Sequence, residues 1–211
     1  MKIEPALTAS QIEHVRALFR EYHALLGVDL GFQRFEAELV GLPGVYAAPG
    51  GCLLLGTNGD TALGCVALRP MGSRVCEMKR LYVRPEARGG GLGRQLAREI
   101  IQRARQLGYT HMRLDTLDRL TEAMGLYRNL GFRETAPYYD NPLPGVIYWE
   151  LDLLHAGPTA QSVLPSDPFH PGNNIEPGEI PPCSCSTQVG HPANDRGLDE
   201  IEGANPEGSI Q

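Results

Sequence analysis

At 211 residues with 42% apolar side chains, the chain is long enough for one packed domain with residues to spare. Five cysteines without framework spacing argue against a disulfide scaffold, and no stretch approaches the roughly 18 uninterrupted apolar residues of a membrane span, so reduced thiols and no membrane partner are expected. The net charge of −6 is uneven: residues 156–211 carry eight acids against one base, while residues 1–155 balance to +1, which excludes a broad basic surface for nucleic acid.

Residues 1–10 include Lys2, Glu4 and Pro5 and no continuous apolar run, so no secretory leader is expected and the reading is of a cytoplasmic protein. Thr8 followed by Gln11 is a capping-box pair. Ile12, Val15, Leu18, Phe19, Tyr22, Leu25 and Leu26 then recur at helical spacing until Gly27, predicting an amphipathic helix. A shorter helix is predicted over 32–40, stopped by Gly41 and Pro43. Runs 52–57 and 61–68 flank Asn58-Gly59 and predict a hairpin. A strand over 75–83 stops before Pro85, and a helix over 92–107 places Leu92, Leu96, Ile100, Ala104 and Leu107 on one face. A short strand over 111–116, a helix over 121–130 and a strand over 146–153 complete the series. Hairpins combined with one strand–helix–strand crossover indicate an α+β fold, a mixed, mostly antiparallel sheet flanked by helices. Residues 156–211 hold nine of the seventeen prolines and neither periodicity, so a disordered acidic tail is expected beyond a domain at 1–155. Cys183 and Cys185, with His170 and His191, lack the second paired element of a zinc finger, and no metal is expected.

The stretch PEARGGGLGRQLAREI, Pro85 to Ile100, is the most informative. A strand, a glycine loop and a helix beginning near Leu92 bring backbone N–H groups to a helix N-terminus, where a negative group is favoured by about 0.3–1 kcal/mol. Arg88 and Arg94 bracket the glycines, so a phosphate or pyrophosphate is the expected guest. The dinucleotide pattern fails because Leu96 stands where a small residue is needed. The nucleoside-triphosphate loop fails because no Gly-Lys-Ser/Thr follows.

Arg88-Gly89-Gly90-Gly91-Leu92-Gly93 resembles R/Q-x-x-G-x-G/A, the acyl-coenzyme A signature of the GNAT N-acetyltransferase superfamily, and residues 126–132 are similar to its later Y-x-x-x-G-F element. The resemblance spans residues 1–153. It implies that amides from Arg88 through Gly89, Gly90, Gly91, Leu92 and Gly93 to Arg94 hold the coenzyme pyrophosphate. The strand backbone at Leu81, Tyr82 and Val83 would hydrogen-bond the pantetheine arm, with acetyl-CoA as co-substrate.

Only about one part in 10³ of an aliphatic amine is unprotonated at neutral pH, so a proton acceptor is useful. Glu77, eleven residues before Arg88, stands where the resemblance places a glutamate base; a sheet-surface carboxylate paired with Lys79 or Arg80 is the competing reading. Alternation groups Glu77, Lys79 and Leu81 on one strand face and Met78, Arg80 and Tyr82 on the other, and the bulge that the resemblance implies would break that parity. Tyr127 is placed by the resemblance to protonate the departing thiolate; packing beside Met124, Leu126 and Leu130 is the alternative. The implied acceptor wall comprises 27–32 and 137–144, where Tyr138, Tyr139 and Asp140 form either a lip for a cationic amine or a capped turn. Asp115 is a second candidate base or amine contact. The acceptor is expected to be a small-molecule or peptide amine, open among amino acid, polyamine, drug-like amine and protein N-terminus, and a homodimer is compatible with this reading. A non-catalytic acyl-CoA-binding module and a nucleotide-binding protein sharing only the glycine loop are the competing functions.

Overall fold

The computed structural model describes residues 1–29, 31 and 34–155. The expected acidic tail, its cysteines and histidines, and Phe32 at the expected start of the second helix lie outside the described residues. In chain order the elements are β1 (Lys2–Pro5), α1 (Ala9–Leu26), α2 (Phe35–Gly41), β2 (Cys52–Asn58), β3 (Thr61–Gly72), β4 (Val75–Val83), α3 (Leu92–Gln106), β5 (His111–Leu117), α4 (Thr121–Asn129), β6 (Arg133–Thr135) and β7 (Val146–Asp152). The strands form one sheet in the order β1-β2-β3-β4-β5-β7-β6, antiparallel except for the β4–β5 pair. That parallel pair is where α3 crosses over.

Helix α1 begins as its sequence requires: Gln11 N–H donates to Thr8 Oγ1 (3.2 Å) and Thr8 N–H to Gln11 Oε1 (3.0 Å). Its buried stripe is Ile12, Val15, Leu18, Phe19 and Leu26, whereas Leu25 is exposed. Helix α2 starts at Phe35 because Arg34, at φ 56°, stands outside helical backbone. The sheet separates two cores. Leu96, Ile100, Met112, Leu114 and Trp149 pack with Leu54, Val66, Leu68, Cys76 and Met78 on one side. On the other, Val15, Leu18, Phe19, Phe35 and Leu39 cover Leu53, Leu55, Cys65, Ala67 and Tyr82.

Two irregularities in β4 shape everything that follows. Cys65 pairs with Tyr82 and Ala67 with Lys79, so two steps of β3 span three of β4, and the extra residue is Arg80, a non-glycine at φ 56°. Cys76 and Met78 belong to the α3 core before this bulge, and Leu81 and Val83 pack against it afterwards, while Tyr82 joins the α1–α2 core. The simple grouping of Leu81 with Glu77 and Lys79 is therefore corrected: the bulge carries Leu81 to the other face. The second irregularity is a splay, in which β4 and β5 pair only over Val75–Glu77 and His111–Arg113, although both continue well past those residues.

Candidate active site

Helix α3 starts without a cap. Gly91 offers no side chain, and the first bond runs from Gln95 N–H to Gly91 O (3.0 Å). Among the described residues, the N–H groups of Gly89, Gly90, Gly91, Leu92, Gly93 and Arg94 take no backbone acceptor, which leaves a row of donors at the positive end of a 15-residue helix. Gly89 and Gly91 hold φ of 79° and 82°, so their lack of a β-carbon has a backbone reason. Gly93 has none: a Cβ there would meet only Val83, in ordinary contact at 3.6 Å. Arg88 folds back, donating from Nε to Val83 O (3.0 Å).

Beside the splay lies a small cleft walled by Met78, Leu81, Asp115, Leu117, Tyr22 and Tyr127. The Tyr127 ring is buried between Phe132 and Trp149, at centroid distances of 5.8 and 6.3 Å. Its hydroxyl has no hydrogen-bond partner among the described residues. Burial, reinforced by the nearby Tyr22 and Asp115, pushes this phenol above its ordinary range, so it remains protonated at neutral pH. A second cavity of about 270 Å³ shares Lys79 and Arg80 with the cleft and is bounded by Arg34, Glu38, Tyr46, Arg69, Tyr139 and Asp140.

Between the cavities lies a buried ionic network. Glu77 is 0% exposed: Arg69 gives both Nε and Nη2 to its Oε2 (2.6 Å each), while the Tyr138 hydroxyl donates to Oε1 (2.9 Å). Lys79 Nζ donates to Asp115 Oδ1 (2.8 Å) and stands 3.7 Å from Glu77 Oε1; the Tyr139 hydroxyl donates to Asp115 Oδ2 (3.0 Å). Burial acts to raise Asp115, but the Lys79 charge and the Lys79 and Tyr139 hydrogen bonds prevail and hold it below its ordinary value. At the bulge, Arg80 grips both oxygens of Glu38 (Nε to Oε1 3.0 Å, Nη2 to Oε2 2.6 Å), and Tyr46 adds its hydroxyl at 2.6 Å. Burial opposes the Glu38 charge too, and the Arg80 and Tyr46 bonds again win, lowering its pKa.

An uncapped helix N-terminus and a strand edge left by its parallel neighbour are features that the glycine-loop resemblance implied. The family model for the acetyltransferase (GNAT) family matches residues 13–132, more than half of the chain. The chain belongs to the GNAT acetyltransferase family. An uncharacterised N-acetyltransferase of Schizosaccharomyces pombe is 47% identical over 144 residues, covering 67% of this chain and 88% of that protein. Among solved structures, a Salmonella typhimurium acetyltransferase with its cofactor acetyl-CoA aligns at TM-score 0.53 and 22% identity over 76% of this chain and 98% of the other. An N-acetyltransferase of Thermoplasma acidophilum in complex with coenzyme A aligns at TM-score 0.57 and 17% identity over 72% and 99%. The mixed seven-stranded sheet flanked by helices is the fold expected from the sequence.

Within this GNAT domain, Glu77 lines neither cavity, with Arg69 on its Oε2 and the Tyr138 hydroxyl on its Oε1. Asp115 and Tyr127 do line the cleft, and Tyr139 and Asp140 line the second cavity. Tyr138 stacks on Tyr148 and Arg113 behind them, at 5.1 and 5.3 Å, so the 137–144 lip is tied to the sheet through both tyrosine hydroxyls. Sequence reasoning missed Arg69, Glu38 and Tyr46. A signal for Arg69 existed: the turn at Gly72–Val75 sets it opposite Glu77 in the β3–β4 register. Glu38 and Tyr46 gave none, being joined to Arg80 only by tertiary contact.

Proposed function

We propose that the chain transfers an acetyl group from acetyl-CoA to the amine of a small-molecule or peptide acceptor, by direct attack with both substrates bound. The observation that carries this reading is the row of N–H groups without backbone acceptors at the start of α3, in a strand–helix unit whose β4 edge lines the cleft that holds Tyr127. In this reading the N–H groups from Gly89 to Arg94 hold the diphosphate, and the β4 edge at Leu81, Tyr82 and Val83, which β5 leaves, hydrogen-bonds the pantetheine arm. The coenzyme ligands of two proteins with this fold support it. Bound acetyl-CoA supplies a thioester whose carbonyl carbon is the electrophile.

The rest is done by the chain's own groups. Asp115, kept anionic by Lys79, draws a cationic amine to the cleft and holds it by a hydrogen bond, and the ammonium proton passes to solvent before the nitrogen attacks the thioester carbonyl carbon. Glu77 acts as a positioning residue, since its contacts with Arg69, Tyr138 and Lys79 fix three walls of the site. Tyr127, neutral and with its hydroxyl uncommitted, presents a proton to the leaving sulfur. A thermal-shift assay with acetyl-CoA followed by a thiol-release screen over amines tests the reading. Stabilisation together with acceptor-dependent thiol release is expected. Stabilisation without release by any amine would leave only a coenzyme-binding module.

A further inference from the structure

The cavities follow one another in a fixed order. Lys79 and Arg80 are shared by the cleft and the second cavity, whereas Arg34, Glu38, Tyr46 and Arg69 are shared by the second cavity and a groove beside Pro43 and Val45. An acceptor whose amine reaches the cleft and whose body occupies the second cavity has its other end between Arg34 and Arg69. Charge is distributed along the same line. Asp115 lies on the cleft wall, Asp140 on the second cavity, and Glu38 on both the second cavity and the outer groove. Lys79 and Arg80 are committed to Asp115 and Glu38.

The outer cations are different. Arg69 spends Nε and one Nη2 bond on a single Glu77 oxygen, is 39% exposed, and has no acceptor for Nη1 among the described residues. Arg34 is exposed and forms no ion pair among the described residues. The outer end thus presents guanidinium donors that no protein acceptor among the described residues takes up, whereas the charges at the cleft are paired, Asp115 with Lys79 and Arg80 with Glu38. A plain alkylamine would leave the outer guanidinium donors unanswered, and a polyamine would set a second ammonium against them. A carboxylate answers them with the planar geometry that arginine recognises.

We infer that the acceptor is an amino acid-like molecule, its amine at Asp115 and its carboxylate between Arg34 and Arg69. This rests on the acetyl-transfer reading and narrows it: a polyamine and a peptide N-terminus, which lacks an adjacent carboxylate, are disfavoured.

The test is acetyl-CoA-dependent thiol release by the full chain with L-amino acids, their primary amides and the corresponding amines without the carboxyl. At least one acid is expected to exceed its amide in kcat/KM by about tenfold or more, the range of a charged hydrogen bond. Arg34→Gly removes the guanidinium at a backbone position suited to glycine and should bring that ratio close to one with an unchanged melting temperature. Arg69→Lys keeps the charge facing Glu77 but loses the fork, and should lower the ratio severalfold. Equal turnover of acids and amides, or an unchanged ratio in a folded Arg34→Gly variant, would overturn the inference while leaving acetyl transfer standing. Thiol release with no compound in the panel or in a wider amine screen would overturn the transfer reading and this inference together.

Discussion

At Gly91 the backbone stands at φ 82°, a conformation that costs a residue with a β-carbon roughly 1–3 kcal/mol, whereas a Cβ on Gly93 meets only Val83. The two positions therefore separate strain from ligand space. Gly91→Val is expected to lower both the melting temperature and coenzyme affinity. Gly93→Leu should hold the melting temperature within a few degrees while weakening acetyl-CoA binding by about tenfold or more, read by calorimetry. Tyr127→Phe deletes a hydroxyl with no protein partner among the described residues, so stability and coenzyme affinity should hold while kcat falls by about 10²-fold, the lower range for a positioned acid. An unchanged kcat would reduce Tyr127 to a packing residue between Phe132 and Trp149.

Among the elements, α2 is held by the packing of Phe35 and Leu39 and by a polar clasp: Arg80, projected by the bulge, holding Glu38 with Tyr46 assisting. Glu38→Ala takes from a buried guanidinium the two hydrogen bonds that Glu38 supplies, a loss of about 3–5 kcal/mol. A melting temperature roughly 10 °C lower in differential scanning calorimetry is expected. The contrast between legible and illegible elements follows the range of the forces that set them. Thr8 with Gln11, Asn58-Gly59 and the 75–83 run act within a few residues, and the structure keeps all three boundaries close to those expected. β1, four residues containing a proline, and β6, only three residues, exist because β2 and β7 offer them edges, so no local period announces them. In the site, the glycine loop was legible because glycine spacing and a left-handed φ belong to the backbone itself. The bonds of Glu77 were not, because they depend on which way a bulged strand turns its side chains.

Across the whole molecule, Glu38 anchors α2 to β4, and Asp115 ties β5 to β4 and to the 137–144 loop. Both titrate lower in the folded chain than in the unfolded one. Their contribution to stability is complete above the unfolded carboxylate values of about 4 and disappears as pH falls through the depressed folded values. Melting temperature followed from pH 7 downward should drop most steeply below about pH 4, and Asp115→Asn should flatten that limb. The sequence assigns the domain to residues 1–155, and a chain ended at His155 is expected to keep the melting temperature and thiol-release rate of the full chain; loss of either would move that boundary.

The single additional residue at Arg80 also means that the two halves of β4 are out of phase with each other. Deleting one residue there would restore a regular ladder and at the same time turn the outer half inside out, driving the Tyr82 phenol toward α3 and stranding Leu81 and Val83 under α1. Substitutions along this strand trade one contact for another, but a change in its count exchanges two entire surfaces. For this protein the number of residues between Val75 and Val83 is a stricter requirement than the identity of most of them.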